Sequence, residues 1–469
     1  MLPNLTSLSN AEAFGTGLEV PKALLGLGSD RAAGARSGDE GGAREGELTQ
    51  KQVALWCRFY GLGHELPLDR VDLVVAEERA ARGPDPQFEA RLEWLLQGTS
   101  DSELQTLDPR RDCARIHQRV VSRFRVESRV LETLAINRIA QSLALSLLIR
   151  ATGKAETTPV LRFYDTYALL ANVLEWGIDS RRGAEALARI NGIHARYSIP
   201  NDGMKFVLLA LVFTWLDGLP QIGHRELHPS ERLGFFHAYI ELGQAMGIAE
   251  LAHDYASMQR WIHDFNAANR GFHDNKAEFF ERSVGGSLVD VKDPALAHWF
   301  RVALRSAMDE AYRESIGESC PSASERDQVR TFIGHLGWLA ERQSKPFIRS
   351  LQNNPARSSF AEPSELGSAL RSKQVPPQID PNSLPLITRE QVAEACRAGL
   401  LWLVIHGAVY DLSHLQHIHP GGAAALWRQL GSDASPAFER AGHSQLAREL
   451  MTNYLVGRLT EPDSEQEGA

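Results

Sequence analysis

One stretch of the chain, from Leu401 to His443, restricts the fold more strongly than any other part of the sequence. It opens with the short apolar run Leu401–Ile405 and continues, after the turn signal His406-Gly407, with the alternating residues Val409–Leu412. Two short strand-like runs on either side of a two-residue turn are typical of a β-hairpin. The stretch therefore predicts a small sheet in this part of the chain.

Two histidines follow the predicted hairpin, and both have glycine close by. His419 begins a His-Pro-Gly-Gly sequence, in which proline ends a helix, and Gly421 and Gly422 let the backbone turn tightly and approach a flat group closely. His443 comes after a further helical stretch and is preceded by Gly442. The pattern predicts two imidazoles on separate helices that hold an iron from both sides. The alternative is that both are ordinary core or surface residues.

This segment resembles the cytochrome b5 haem domain over roughly Leu384–Leu459, through His-Pro-Gly-Gly, the upstream IHGAVYDLS and the downstream AGHS. The resemblance implies a small α+β domain in which His419 and His443 are the two axial ligands of a b-type haem, with Gly421 and Gly422 beside it. A haem iron with two imidazole ligands has no vacant coordination position, so it carries electrons and does not bind oxygen. The candidates for the apolar slot around this haem are Phe438, Leu426, Leu415 and Leu446.

The rest of the chain divides by composition. Residues 1–47 are rich in Gly, Ala, Ser and charge, and they predict a disordered leader because they bury too little apolar surface to order. Residues 48–343 show helical spacing almost throughout and predict one large all-α domain, which makes the chain mainly α. Residues 344–383 predict an extended Pro- and Ser-rich linker, residues 384–460 the C-terminal α+β domain, and residues 461–469 an acidic tail. The predicted helices include Arg129–Arg150, Thr166–Trp176, Gly183–Tyr197, Asp202–Leu216, Glu231–Gly247 and His253–Asn269.

Charge and hydropathy limit the partners and the location of the protein. A net charge of -9 at pH 7 and a pI near 6.0 argue against nucleic-acid binding. The four cysteines are scattered without a CxxC pair, which suits a reducing compartment. The longest apolar run, Phe206–Leu216, is shorter than the about 20 residues of a membrane-spanning helix and predicts a buried core helix. Without a signal peptide or transmembrane segment, we expect a cytoplasmic protein, compatible with peripheral membrane association.

The pair His224 and His228 has the HxxxH spacing that puts two imidazoles on one face of a helix. His228 precedes Pro229, however, and the residue before a proline is disfavoured in helical backbone. The sequence also lacks HExxH and ExxH pairs suited to zinc or di-iron carboxylate sites. We therefore predict that the pair lies in a loop before the next helix.

A polar stripe and a more distant histidine form the remaining candidate site. Arg162, Asp165 and Thr166 fall at i, i+3 and i+4, on one face of an otherwise apolar helix. His194 lies on a second predicted helix, 32 residues after Arg162. The residues alone leave two alternatives open. In one, the stripe belongs to an ordinary helix with an interhelical Arg–Asp salt bridge and His194 is a core residue; in the other, they converge on a ligand.

The segment Arg129–Asn269 resembles the MpaB and rubber oxygenase (latex-clearing protein) family of haem oxygenases, through the RxxDT motif at Arg162 and the NxIHxxY motif around His194. The resemblance implies an all-α domain that holds a second b-type haem, with His194 as the proximal ligand and the other iron face open to O2. Arg162 and Thr166 are then expected on the distal side, where a cationic donor stabilises developing negative charge.

Two positions depart from the rubber oxygenase pattern. Rubber oxygenases proper have Lys where this chain has Asp165, whereas the MpaB-like branch carries the acid, so Asp165 stays among the candidate catalytic residues. Rubber oxygenases also place a catalytic Glu shortly before the Arg. No acid lies between Glu132 and Glu156 in this chain, so that role is not assigned to any residue.

Together the two resemblances predict an oxidoreductase, a haem-dependent mono- or dioxygenase that uses O2 on a hydrophobic, isoprenoid or otherwise unsaturated small molecule. The C-terminal domain would supply electrons that an external NAD(P)H-dependent reductase provides, because the chain has no GxGxxG or flavin motif of its own. One alternative is a non-catalytic haem-binding electron-transfer protein whose helical domain is a docking scaffold. Another is a lipid- or isoprenoid-binding protein without turnover.

Overall fold

The computed structural model describes residues 56, 59–60, 68–83, 85–152, 159–288, 291–342, 363–366, 384–416 and 418–460. Residues 68–342 form a helical domain, and residues 384–460 form a C-terminal domain with a four-stranded sheet. The prediction of a mainly α chain with a small α+β domain at its C-terminal side is confirmed. The predicted leader, the acidic tail and all of the predicted linker except 363–366 lie outside the described residues.

The helical domain consists of fifteen described helices, with a 3-10 turn over Arg138–Gln141. In chain order they are α1 (Leu68–Arg82), α2 (Pro86–Gln97), α3 (Asp101–Leu104), α4 (Cys113–Arg123), α5 (Arg125–Asn137), α6 (Leu143–Ala151), α7 (Pro159–Trp176), α8 (Arg181–His194), α9 (Asn201–Ile222), α10 (Pro229–Ala245), α11 (Tyr255–Ala268), α12 (Asp274–Ser287), α13 (Pro294–Ala307), α14 (Glu310–Ile316) and α15 (Ala323–Glu341).

Helix α9 is the centre of the helical domain. It packs against α5, α10, α11 and α13, and Phe206, Leu209 and Val212 are fully buried. In the part of the chain that the structure describes, α9 is the one helix long and apolar enough to cross a membrane, and 72% of its apolar window is buried inside the fold. Helices α5 and α6 pass the same test only as one span bent by 98°. The predicted core helix at Phe206–Leu216 is confirmed.

The prediction of a single helix over Arg129–Arg150 is wrong. The chain forms α5, a 3-10 turn and then α6, with a bend of 98°. Arg138 in the turn is buried and pairs with Asp309 at the start of α14. Ser142 caps α6 by accepting a hydrogen bond from the Leu145 N–H. A buried tertiary ion pair and a serine cap stabilise this break. The sequence contains no glycine or proline there that would have signalled it. The other predicted helices coincide with α7 to α11, of which α7 and α9 are longer than predicted.

A buried ion network joins three helices through the loop before α10. The loop contains His224 and His228, as predicted. His224 lies between Glu127 of α5, at 2.7 Å from Nδ1 to Oε1, and Glu341 at the end of α15, at 3.1 Å from Nε2 to Oε2. Arg225 binds the same Glu341 and also the buried Glu231 of α10. The histidine is therefore an ion-pair partner that ties α5 to α15.

The C-terminal domain contains the predicted hairpin. Its strands are β1 (Leu386–Ile387), β2 (Trp402–Ile405), β3 (Ala408–Asp411) and β4 (Leu455–Leu459), in the order β1-β4-β3-β2. The β2–β3 pair is antiparallel, with Ile405 opposite Ala408. His406 and Gly407 have φ of 50° and 73°, as a hairpin turn that matches strand twist requires. The sequence did not predict β1, which pairs in parallel with β4.

Short helices complete this domain and connect it to the helical domain. They are α16 (Arg389–Arg397), α17 (Ala423–Trp427), α18 (Ser435–Arg440) and α19 (Gln445–Leu450), followed by a 3-10 turn over Met451–Tyr454. Helix α19 packs against α6. Leu450 belongs to the core of the helical domain, and Leu446 packs against that core. Leu446 was predicted to line the haem slot, and the structure places it at the contact between the domains.

The described part of the predicted linker is not extended. Residues Pro363–Glu365 form a 3-10 turn, and Leu366 is buried in the core of the helical domain. The Leu366 carbonyl accepts a hydrogen bond from Arg189 of α8. At this point the segment is part of the helical domain, because an apolar side chain in a proline-rich stretch finds a packed site there.

Candidate functional site

A cavity of about 210 Å³ lies among α5, α6, α7, α8 and α9. Most of its wall is apolar, with leucine and isoleucine side chains from all five helices. Five polar side chains among the described residues interrupt this wall: Arg162 and Thr166 of α7, His194 at the end of α8, and also Thr152 and Tyr197. The two segments that the sequence singled out therefore converge on one cavity.

Arg162 and Thr166 face the cavity because they are one helical turn apart on α7. Within the described residues Arg162 makes no hydrogen bond or salt bridge, and it is the only cation among the cavity-lining side chains. Burial lowers the pKa of the Arg162 guanidinium to about 10, which leaves it charged at neutral pH. An apolar cavity thus contains a positive charge without a protein counterion, and such a charge attracts an anionic or polarisable ligand.

His194 supplies a neutral imidazole to the same cavity. It is the last residue of α8, whose first turn is capped by the Ser180 hydroxyl. Its Nδ1 is buried without a hydrogen-bond partner among the described residues. Burial, and then the charge of Arg162, lower the pKa of His194 to about 4. The ring therefore keeps a free lone pair at neutral pH, which a metal ligand requires.

Asp165 is fully buried but does not line the cavity. The alternative of an interhelical Arg–Asp salt bridge at Asp165 stays open. A catalytic role for Asp165 stays a prediction from the sequence.

The donor set suits a haem better than a bare metal ion. Nowhere in the described residues do three His, Cys, Asp or Glu side chains come together as a metal site. A protein site for a bare ion needs several converging ligands, whereas a haem supplies four of its own and needs one proximal side chain. One neutral imidazole with an unpaired nitrogen, in an apolar cavity with a single cation, fits that requirement.

The second candidate site lies in the C-terminal domain, where His419 and His443 face each other. The centres of their rings are 6.3 Å apart and the ring planes differ by 36°. A metal between two imidazole nitrogens needs about 2 Å on each side, and the observed spacing leaves that room. Both histidines lie in irregular backbone, outside the helices. The prediction that they stand on separate helices is therefore wrong, although they flank α17, α18 and α19.

Hydrogen bonding and stacking orient the two rings. His443 Nδ1 lies 3.1 Å from the Phe438 carbonyl oxygen, and because a carbonyl only accepts, Nδ1 donates and Nε2 keeps the lone pair. The Phe438 ring stacks on His443 at 4.3 Å between ring centres, with the planes 14° apart. Burial lowers the pKa of His419, and its Nδ1 has no partner among the described residues. Both rings are therefore suited to be neutral ligands.

Glycine is favoured at positions 421 and 422 for two different structural reasons. A Cβ on Gly421 would lie 3.1 Å from His419 Cε1 and 3.3 Å from His419 Nδ1, which is tighter than ordinary contact. Gly422 has φ of 76°, a conformation that favours glycine. Leu426 is buried, and Phe438 and Leu415 pack against the same apolar cluster. These are the slot residues that the sequence predicted, apart from Leu446.

A smaller pocket of about 50 Å³ shares part of its wall with the cavity, and no sequence pattern predicted it. It is lined by His117 of α4, Glu132 of α5 and Tyr167 of α7. The Tyr167 hydroxyl donates to Glu132 Oε1 at 3.2 Å. His117 is buried with neither ring nitrogen hydrogen-bonded to a described residue, and burial lowers its pKa to about 4. No motif connects these residues, because only helix packing brings them together.

Comparison with known proteins shows that two segments of the chain are similar to known domain families. Residues 388–460 match the model of the cytochrome b5-like heme/steroid binding domain, and residues 139–341 match that of the ER-bound oxygenase mpaB/B'/rubber oxygenase catalytic domain. Among curated proteins, cytochrome b5 type B of Homo sapiens is 45% identical over 78 residues, which is 17% of this chain and 52% of the relative. Cytochrome b5 of Rhizopus stolonifer is 46% identical over 82 residues, 18% of this chain and 63% of the relative. The chain thus spans about half to two-thirds of the length of these relatives.

Proposed function

We propose that this chain, an MpaB/rubber oxygenase-like catalytic domain followed by a cytochrome b5-like domain, is a haem-dependent oxygenase with a built-in electron carrier. The matched oxygenase domain supports an oxidoreductase, and the cytochrome b5-like domain supports haem binding. One observation supports the finer proposal most strongly. Arg162, Thr166 and His194 meet on one apolar cavity, and His194 has an unpaired buried nitrogen.

In this proposal His194 holds a haem in the cavity. The bound haem supplies the activation of O2. The Arg162 guanidinium, unpaired in an apolar wall, stabilises negative charge that develops on a ligand beside it, because the low local dielectric strengthens the attraction. The Thr166 hydroxyl, one turn away, donates or accepts a hydrogen bond on the same side. The leucine and isoleucine walls bind a hydrophobic substrate and exclude water.

The C-terminal domain favours monooxygenation over cleavage of a C=C bond. Monooxygenation puts one oxygen atom into the product and reduces the other to water, which consumes two electrons and two protons. Cleavage that places both oxygen atoms in the product needs no net electrons. We propose that His419 and His443 hold a second haem that carries the electrons from an external NAD(P)H-dependent reductase.

We further propose a cytoplasmic location and an isoprenoid or otherwise unsaturated substrate. The apolar cavity and the match to the rubber oxygenase catalytic domain support a hydrophobic substrate. The burial of α9 inside the helical domain supports its role as a core helix.

The first experiment measures haem per chain and the optical spectrum of the purified full-length protein, with His194→Ala and His419→Ala as matched variants. Two haems are expected, of which a ligand-accessible, high-spin component disappears in His194→Ala and a low-spin component disappears in His419→Ala. One low-spin haem that is unaffected by His194→Ala would contradict the oxygenase and favour an electron carrier on a helical scaffold.

The second experiment measures turnover. Farnesol, geranylgeraniol and squalene serve as probe substrates, with NADPH and a cytochrome b5 reductase as the electron source. Substrate-dependent O2 uptake with about one NADPH for each O2 supports monooxygenation, whereas O2 uptake without matching NADPH use supports C=C cleavage. Binding of a probe in the cavity without any O2 uptake would instead support a lipid-binding protein without turnover.

A further inference from the structure

The contact between the two domains contains a reciprocal pair of hydrogen bonds. Asn453, in the 3-10 turn after α19, is 2% exposed. Its Oδ1 accepts from the Ser198 N–H at 2.6 Å, and its Nδ2 donates to the Ser198 carbonyl at 3.0 Å. Nδ2 also donates to the Leu450 carbonyl at 2.9 Å. Both the oxygen and the nitrogen of the amide side chain are thus hydrogen-bonded. The N–H and the carbonyl of Ser198 in the helical domain both bind this one side chain of the C-terminal domain.

Apolar side chains cross the same contact in both directions. Leu450 of the C-terminal domain is part of the core of the helical domain. In return, Ala151 of α6 is part of the apolar cluster of the C-terminal domain, and Leu147 packs against that cluster. A buried, hydrogen-bonded amide within an apolar contact fixes one orientation, because any other leaves polar groups buried without partners.

Tyr197 contacts both the cavity of the helical domain and the apolar cluster of the C-terminal domain. It lines the cavity together with His194 and Arg162. It also packs against the apolar cluster that contains Leu426 and is contacted by Phe438. Its hydroxyl is buried without a hydrogen-bond partner among the described residues. One side chain, adjacent to Ser198, therefore lies between the cavity and the apolar cluster of the C-terminal domain.

We infer that this contact is the docking face for electron transfer between the two domains, with Asn453 as the positioning residue and Tyr197 as the side chain between the cavity and the apolar cluster of the C-terminal domain. The inference rests on the proposed function. The step moves one electron from the reduced haem of the C-terminal domain to the oxidised haem of the helical domain, and no proton needs to cross. The reductant is the NAD(P)H-dependent reductase, which reduces the C-terminal haem again.

The experiment uses the full-length protein with both haems and compares Asn453→Ala with Thr452→Ala. Thr452 is exposed in the same turn and binds only the Glu449 carbonyl of its own domain, so it is the matched control. Flash photoreduction follows electron transfer between the haems, and hydrogen–deuterium exchange with mass spectrometry follows the Ser198 amide. In Asn453→Ala we expect roughly tenfold slower transfer and roughly tenfold faster exchange, because loss of a buried hydrogen bond shifts an equilibrium by about that factor. Thr452→Ala should change neither.

A second variant tests the same contact if Asn453→Ala folds poorly. Asn453→Asp keeps an acceptor for the Ser198 N–H but places a carboxylate against the Ser198 carbonyl, so it should also slow transfer. Haem content and far-UV circular dichroism identify an unfolded variant. A two-haem chain in which both variants transfer electrons at the wild-type rate overturns the docking inference alone. A chain with one haem overturns both this inference and the proposed function.

Discussion

The stability of the helical domain should depend on pH through His224. Burial alone would lower the pKa of this imidazole, but its hydrogen bonds to Glu127 and Glu341 outweigh burial and raise the pKa from 6.5 to about 9. Since the folded-state pKa lies above the unfolded one, the stabilisation is fully present below about pH 6.5 and is lost as the pH rises through about 9.

The magnitude follows from the two pKa values. The difference between about 9 and 6.5, at about 1.4 kcal/mol for each pH unit, corresponds to about 3 kcal/mol of unfolding free energy. The His224 side chain is 2% exposed, so solvent screening removes little of this. Glu341 contributes in a different range. Its burial raises its pKa, but His224 and Arg225 hold that pKa at about 2, so its contribution is lost only as the pH falls below about 4.5.

Urea unfolding followed by far-UV circular dichroism, from about pH 6 to about pH 9.5, measures the effect in wild type and in His224→Gln. Glutamine keeps a hydrogen-bonding side chain but loses the charge. We expect the variant to be less stable by about 3 kcal/mol near pH 6 and to converge with wild type near pH 9.5. Lys276, whose pKa burial lowers to about 8, titrates in this range in both proteins and cancels in the difference. A difference that stays constant across the pH range would refute the reasoning.

Three further predictions concern the two sites and α8. Gly421→Ala should weaken haem binding by the C-terminal domain about tenfold, because the new Cβ would lie 3.1 Å from the His419 ring; a haem titration followed at the Soret band checks this, and unchanged affinity would contradict it. Arg162→Ala should lower kcat about 100-fold with haem content unchanged, and Arg162→Lys should recover part of the loss, because the charge is then kept; equal rates in steady-state O2 uptake would contradict a role for the charge. Gly192→Ala should stabilise the helical domain by about 0.5–1 kcal/mol, because a Cβ there meets nothing within 4 Å and alanine favours helix; thermal unfolding with an unchanged haem spectrum measures it.

The sequence predicted the elements that local signals determine. The hairpin around His406-Gly407 was correct because a two-residue turn with positive φ is specified by its own residues. The helices that carry Arg162 and His194 were correct because their apolar periodicity is long and uninterrupted. The approach of the two helices to one cavity was predicted only through a family resemblance, and the structure brings Arg162, Thr166 and His194 together there.

The structural features that the sequence did not predict depend on contacts between residues that are far apart along the chain. The break at Arg138 follows from its ion pair with Asp309, which is 171 residues away. The Asn453 contact joins residues 255 apart, and an asparagine in a short turn carries no signal for a partner at that distance. Leu446 was assigned to the haem slot because it is apolar and close to His443. Only the packing of α19 on α6 shows that it faces the other domain.

The position of Tyr197 between the cavity and the apolar cluster of the C-terminal domain provides a route by which the two sites can be thermodynamically linked. A ligand that moves this side chain when it fills the cavity also alters the packing of that cluster. Reciprocity then requires that filling the slot changes the affinity of the cavity by the same factor. Cofactor loading of the two domains would therefore be cooperative, so that a chain that acquires one haem differs in its affinity for the other from a chain that has none.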